Sequence, residues 1–218
     1  MRAKPLSTGG TIGICSPSQI AKREESQPRI EALKQLGFQV VEADNLYKTT
    51  YGYLASPIER GTDFNQLIRD PQVELVLFDG GEGSNELLPY IDFQAVRENP
   101  KRILAYSDAT TILDAVWANT GLEVYYGQTP KILHSQTDFN REQFFDHIVK
   151  NGTSVHTKAS PWINLRAGEA RGILIGGYLR NFAMQLNTSF FPIDCSQKYI
   201  LFLEDHIRFG DEAYVSAM

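Results

Sequence analysis

RILAYSDATTILDAVWANTG, residues 102–121, joins a short apolar run to a helical pattern with no spacer between them. Residues 102–107 read as a strand. Residues 108–121 read as a helix, with Ile112, Ala115, Val116 and Ala118 on one side and Gly121 as its stop. Ser107 stands at the junction, with Ala105 and Ala109 two positions to either side. That is the spacing of the G-x-S-x-G nucleophile elbow, with alanine in place of both glycines. Small residues at those positions let the chain turn sharply, expose the serine hydroxyl and aim the first amides of the helix at the same spot. A second reading makes Ser107 or Asp108 an ordinary helix N-cap. Spacing alone leaves both open.

The same strand–turn–helix alternation continues outward in both directions. TIGICSPS (11–18) is a strand running into a loop, and 23–37 is a helix with Ile30, Leu33 and Leu36 inward and Gly37 as its stop. FQVVEA (38–43) is a strand, and 45–57 is a loop. PIERGTDFNQLIRD (57–70) is a helix facing inward with Phe64, Leu67 and Ile68. VELVLFD (73–79) is almost continuously apolar, as a strand covered on both faces must be. GGEGSNELLPYID (80–92) is a glycine-rich turn into a short helix, LEVYYGQ (122–128) a strand and 138–150 a helix. This order predicts an α/β fold with layered elements and a mainly parallel sheet. Functional groups in such folds gather at the carboxyl ends of the strands, where both Ser107 and the glycine turn lie.

Beyond residue 152 the pattern changes. Segments 153–156, 162–165 and 170–175 read as short strands, 176–186 as a helix and KYILFLED (198–205) as a strand. The expected division is an α/β domain over 1–155 and a smaller, β-rich domain over 156–218. The second is short for a domain, and the sequence reads as truncated within it.

Composition narrows the function classes. The chain has 218 residues, 42% hydrophobic and 22% charged, with 21 basic and 26 acidic side chains for a net charge of -5. Neither the balance nor any basic run suggests a nucleic-acid partner. No stretch suits a signal peptide or a membrane span, so a cytoplasmic protein is expected. The two cysteines, Cys15 and Cys195, sit in apolar contexts and are expected to be buried free thiols. No Cys/His cluster has metal-ligand spacing, and no cofactor is expected. The DGGEGSN loop (79–85) lacks the Gly-Lys-Ser/Thr of a phosphate-binding loop, and Asp79 and Glu82 would repel a phosphate. It suits the oxyanion of acyl transfer better than a nucleotide, or is simply a turn requiring positive φ. Glu204, at the end of KYILFLED, could orient a histidine, and could equally be a solvated acid. The histidines are His134, His147, His156 and His206, none in an informative context.

Taken in order, five stretches resemble one family, the serine peptidases that comprise the murein tetrapeptide LD-carboxypeptidases and the microcin C self-immunity proteins. They are TIGICSPS; ERGTDFNQLIRDPQVELVLFDGGEGSNELLPYID; NPKRILAYSDATTIL; GEARGILIGGYL; and YILFLED. The resemblance implies a Ser-His-Glu mechanism on an amide bond of a murein tetrapeptide or related peptidyl conjugate. It implies Ser107 as nucleophile, Glu204 as the acid that orients the histidine, and the N–H groups of Asp108 and Gly81 as the oxyanion hole. The expected partner is a small peptide or muropeptide, and a homodimer is the assembly it suggests.

Two departures stand out. The family's Gly-Gly-Asn-Leu is Gly176-Gly177-Tyr178-Leu179 here, and the family's histidine lies beyond the last residue of this sequence, so no histidine is carried over and this form is expected to be inactive. The alternative is a non-catalytic α/β module that binds a muropeptide without turnover.

Overall fold

The computed structural model describes residues 1–18, 21–50, 52, 54–79, 83–127, 129–134, 137–150 and 158–205. Five strands form one parallel sheet: β1 (Thr11–Cys15), β2 (Gln39–Glu42), β3 (Val73–Phe78), β4 (Arg102–Ala105) and β5 (Tyr125–Tyr126). Their spatial order is β2-β1-β3-β4-β5, a doubly wound arrangement that reverses direction between β1 and β3. The crossovers carry α1 (Arg23–Gln35), α2 (Pro57–Arg69), α3 (Phe93–Glu98) and α4 (Thr110–Thr120), followed by α5 (Pro130–His134) and α6 (Asp138–Phe144).

Alternation along the central strands builds two cores. On one face Val76 and Phe78 of β3 and Ile103 and Ala105 of β4 meet Phe64 and Ile68 of α2 and Ile112 and Val116 of α4. On the other, Ile12 and Ile14 of β1, Leu75 and Leu77 of β3 and Leu104 of β4 meet Ile30 and Leu33 of α1 and Phe144 of α6. Each strand residue thus has a covered face whichever way it points, and this is why β3 and β4 read as unbroken apolar runs.

Several expectations need correction. β5 pairs only through Tyr125 and Tyr126, because β4 has just four residues and ends at the Ser107 turn. The short helix expected after the glycine-rich turn is present as a 3-10 helix, Ser84–Tyr90, and α3, which was not expected, follows it. The helix expected over 138–150 ends as a π-helical turn, Phe145–Val149. There the buried Arg102 guanidinium donates to the carbonyls of His147 and Ile148. Residues 162–165 form no strand: they are irregular and exposed, next to Pro161, which lacks an N–H. Cys15 is buried as expected, but Cys195 is exposed, between the polar Asp194 and Ser196.

The later residues form β6 (Ile173–Tyr178), α7 (Leu179–Gln185) and β7 (Tyr199–Glu204), with β6 and β7 paired in parallel as a second sheet. The helix expected from residue 176 starts at Leu179, because Gly176 and Gly177 hold φ of 124° and 142° and keep the chain extended. The boundary expected near residue 155, and segment 153–156, lie outside the described residues. Among the described residues no helix is long and apolar enough to cross a membrane.

Candidate active site

β4 delivers the chain to the elbow. Tyr106 is extended at φ -149°, and Ser107 then turns to φ 60°, one of two described non-glycine residues with positive φ. A left-handed serine costs on the order of 1–3 kcal/mol and persists only where its surroundings hold it. The 3-10 turn Ser107–Ala109 leads directly into α4. Neither Ser107 nor Asp108 caps the helix with its side chain, which removes the N-cap reading. Ser107 is half-buried rather than sealed under packed side chains.

The surroundings hold this turn from every side. The Ser107 N–H donates to the Tyr126 hydroxyl at 2.9 Å. The Ser107 carbonyl accepts from Thr110 Oγ1 at 2.6 Å, and Thr110 Oγ1 in turn accepts from the Tyr178 N–H at 2.9 Å. Asp108 is buried, and its carboxylate accepts from the Ser84 N–H at 2.8 Å and from Asn181 Nδ2 at 2.9 Å. Its carbonyl accepts from Ser84 Oγ at 2.7 Å and Asn181 Nδ2 at 3.0 Å. Ser84 closes the glycine-rich loop, so these bonds tie the residue after the serine to the element that follows that loop. They also tie it to α7 of the second sheet.

Glu204 ends β7 and reaches the same place. Its Oε2 accepts from the Tyr126 hydroxyl at 2.5 Å. One phenol therefore joins the backbone of Ser107 to the carboxylate of Glu204. Burial, and secondarily the bond to Glu204, pushes the Tyr126 hydroxyl above the ordinary tyrosine range, so it stays protonated as a donor. Gly177 permits the approach of the second sheet. A Cβ there would lie 2.6 Å from Thr110 Oγ1, on a backbone whose φ few side chains adopt.

The glycine-rich loop is anchored at both ends. Asp79, at the end of β3, is buried and accepts from Ser26 Oγ at 2.7 Å and Arg29 Nη1 at 3.0 Å. The buried Arg60 donates to the carbonyls of Pro17 and Gly83 and pairs with Glu86. That one guanidinium fixes the loop after β1 beside the loop after β3. Gly81 and Glu82 themselves lie outside the described residues, as do His156 and His206. His134 ends α5, and His147 lies in the π-helical turn, its carbonyl held by Arg102.

The structure thus brings Ser107, Asp108 and Glu204 together, and adds Tyr126, Thr110, Asn181 and Ser84, which the sequence did not single out. For Thr110 and Ser84 a signal existed, since both fall inside the motifs around the elbow and the glycine loop. Tyr126 and Asn181 had none. They become visible only when strand register and helix docking are known.

Comparison with known proteins gives the family and the fold. Residues 12–127 match the family Peptidase_S66, the LD-carboxypeptidase N-terminal domain. A Vibrio cholerae protein named as a carboxypeptidase is 34% identical over 94% of this chain and 70% of its own length. The microcin C7 self-immunity protein MccF of Escherichia coli is 31% identical, over 73% of this chain and 48% of its own length. A Bacillus subtilis protein named as a murein peptide carboxypeptidase is 32% identical, over 94% of this chain and 65% of its own length. Among solved structures, a variant of MccF bound to adenosine monophosphate superposes with a TM-score of 0.80 at 27% identity, over 94% of this chain and 71% of that one. An MccF-like protein of Bacillus anthracis gives 0.83 at 26% identity, over 94% and 70%. A strained serine at a strand-to-helix turn, an acid at the end of a late strand and these matches lead to one conclusion: the chain belongs to the LD-carboxypeptidase family of serine-type peptidases.

Proposed function

We propose that the protein hydrolyses an amide bond in a murein tetrapeptide or a related peptidyl conjugate, releasing a C-terminal residue, with Ser107 as nucleophile. The observation that carries this reading is the left-handed φ of 60° at Ser107, linked through one hydroxyl to Glu204. Strain of this kind at a half-exposed serine is what a nucleophile elbow requires, and a packing serine has no use for it.

In the reaction, Ser107 Oγ attacks the amide carbonyl carbon while a general base takes its proton. Electron density moves onto the carbonyl oxygen. The Asp108 N–H, at the start of the helical turn, and the Gly81 N–H from the glycine loop donate to that oxygen, where the helix N-terminus favours negative charge. The Ser107 N–H is committed to Tyr126, so the following amide is the one that serves. Collapse expels the amine, which takes up the proton, and water then cleaves the acyl-serine. Glu204 orients the base and stabilises its charged form. The nucleophile lies in the α/β domain (1–155) and the acid in the second domain (156–218), so the site forms where the two meet. The peptide-processing names of the relatives, and the aspartyl sulfamoyl adenosine and glutamyl sulfamoyl guanosine bound by MccF, support two substrate classes, murein peptides and aminoacyl-nucleotide conjugates.

The test is Ser107→Ala in the full natural chain, with release of terminal D-alanine from a tetrapeptide measured by mass spectrometry. An aminoacyl sulfamoyl nucleoside runs in parallel as the second class. The rate should fall about 10³-fold or more on whichever class is the substrate. Undiminished turnover by the variant would refute the assignment.

A further inference from the structure

The structure assigns Tyr126 as the positioning residue of the serine–carboxylate pair, a step that rests on the reading of Ser107 and Glu204 given above.

The direction of each bond follows from donor and acceptor inventory. A backbone N–H can only donate, so the Ser107 amide at 2.9 Å occupies a lone pair of the Tyr126 oxygen. The single phenolic proton is then left for Glu204 Oε2, 2.5 Å away. Neither bond can reverse. The hydroxyl stays protonated as the medium becomes alkaline, because burial and the adjacent carboxylate both oppose its ionisation. Tyr126 is therefore a fixed connector with one acceptor face toward the elbow and one donor face toward the acid.

The connector is itself held rigidly. Tyr126 pairs with Ala105 in the parallel β4–β5 register, and the Gly127 N–H donates to the Ala105 carbonyl at 2.8 Å. Its ring meets Phe202 of β7 with centroids 5.5 Å apart, in an edge-on arrangement. The phenol is thus placed by one strand of each sheet.

Two effects follow at the pair. The β4–β5 ladder ends at Ala105, and the phenol supplies the acceptor that holds the Ser107 N–H beyond it. The charge-assisted bond to Oε2 fixes the carboxylate rotamer and leaves Oε1 to engage the base. Tyr126 touches no reacting atom in this scheme. It sets the distance and angle between the proposed nucleophile and the acid that orients its base.

Tyr126→Phe removes the hydroxyl and keeps the ring against Phe202. Two measurements test it. In the full natural chain, kcat for the hydrolysis used with Ser107→Ala should fall about 10–100-fold while KM stays within about twofold. In hydrogen exchange followed by NMR, the Ser107 amide should exchange about tenfold faster or more in the variant, a local change that general loosening of the fold does not produce. An unchanged kcat, a fall shared with KM, or a lower melting temperature with normal kcat would overturn the proposal, the last by making Tyr126 a packing residue. Unaltered Ser107 exchange would overturn it too. Ser107→Ala separates the layers. If that variant is dead and Tyr126→Phe is normal, only the positioning role fails. If Ser107→Ala turns over normally, the serine assignment fails and this role with it.

Discussion

Asp114 shows how far a single residue can depart from its surroundings in this molecule. It lies in α4, seven positions past the proposed nucleophile, buried, with its Oδ2 lacking a partner among the described residues. Burial alone lifts its carboxyl from the ordinary range to about 8. In the unfolded chain the same group titrates near 4. The folded state therefore binds this proton more tightly, so its contribution to stability is full below about pH 4 and is lost as pH rises through about 8. Asp114→Asn keeps the shape and removes the titration. The variant should hold its urea midpoint between pH 5 and 9 while the parent's declines, the gap at pH 8–9 being on the order of a few kcal/mol. Parallel pH dependences of the two would refute it. Residue identity also explains what stayed hidden in the sequence. LEVYYGQ presents two adjacent tyrosines with nothing to distinguish them. Strand alternation sends Tyr125 toward Arg102, 5.1 Å from ring centre to guanidinium carbon, and Tyr126 to the elbow. The elbow serine was legible because its spacing is local. Its connector was not, because that role is created by a neighbouring strand.

At the scale of elements, the helices were legible where their ends are chemically marked. α2 begins with a capping box: the Ser56 hydroxyl accepts from the Glu59 N–H, and the Glu59 carboxylate accepts from the Ser56 N–H at 2.8 Å. Pro57 occupies the first turn, where its missing N–H costs nothing. Lys48, Thr50 and both groups of Ser56 hold the Glu59 carboxyl down to about 2, so the cap stays charged across the working pH range. Ser56→Ala should destabilise the fold by about 1 kcal/mol in equilibrium denaturation, without altering the slope. A change below a few tenths would show that Pro57 alone sets this end. Less legible were the elements defined by partners. WINL at 162–165 has strand-forming side chains but pairs with no strand among the described residues. α3 is only six residues long, and its Asp92 cap is hard to tell from an ordinary turn acid in sequence alone.

For the whole molecule, the decisive contact is the seating of the second sheet on the elbow. Tyr178 N–H to Thr110, Asn181 to Asp108 and Glu204 to Tyr126 all cross from the later elements to the earlier ones. The alternation of strands and helices pointed to a layered α/β fold with a mainly parallel sheet, as found. It could not foretell that Gly177 of β6 lets the second sheet approach Thr110 of α4. Gly177→Ala tests that contact, since its Cβ would intrude on Thr110 Oγ1 and force an unfavourable backbone. The variant should lose about 2 kcal/mol or more, and limited proteolysis should cut first in the 158–205 region while 1–150 stays protected. A variant as stable and as resistant as the parent would mean the two sheets tolerate separation there. The order in which the parts emerge from the ribosome carries a further consequence. The serine and its turn are synthesised with the first sheet, and the carboxylate arrives only after both α7 and β6 have been made. On the proposed reading, a nascent chain holds its alcohol without the acid until β7 brings Glu204 to Tyr126.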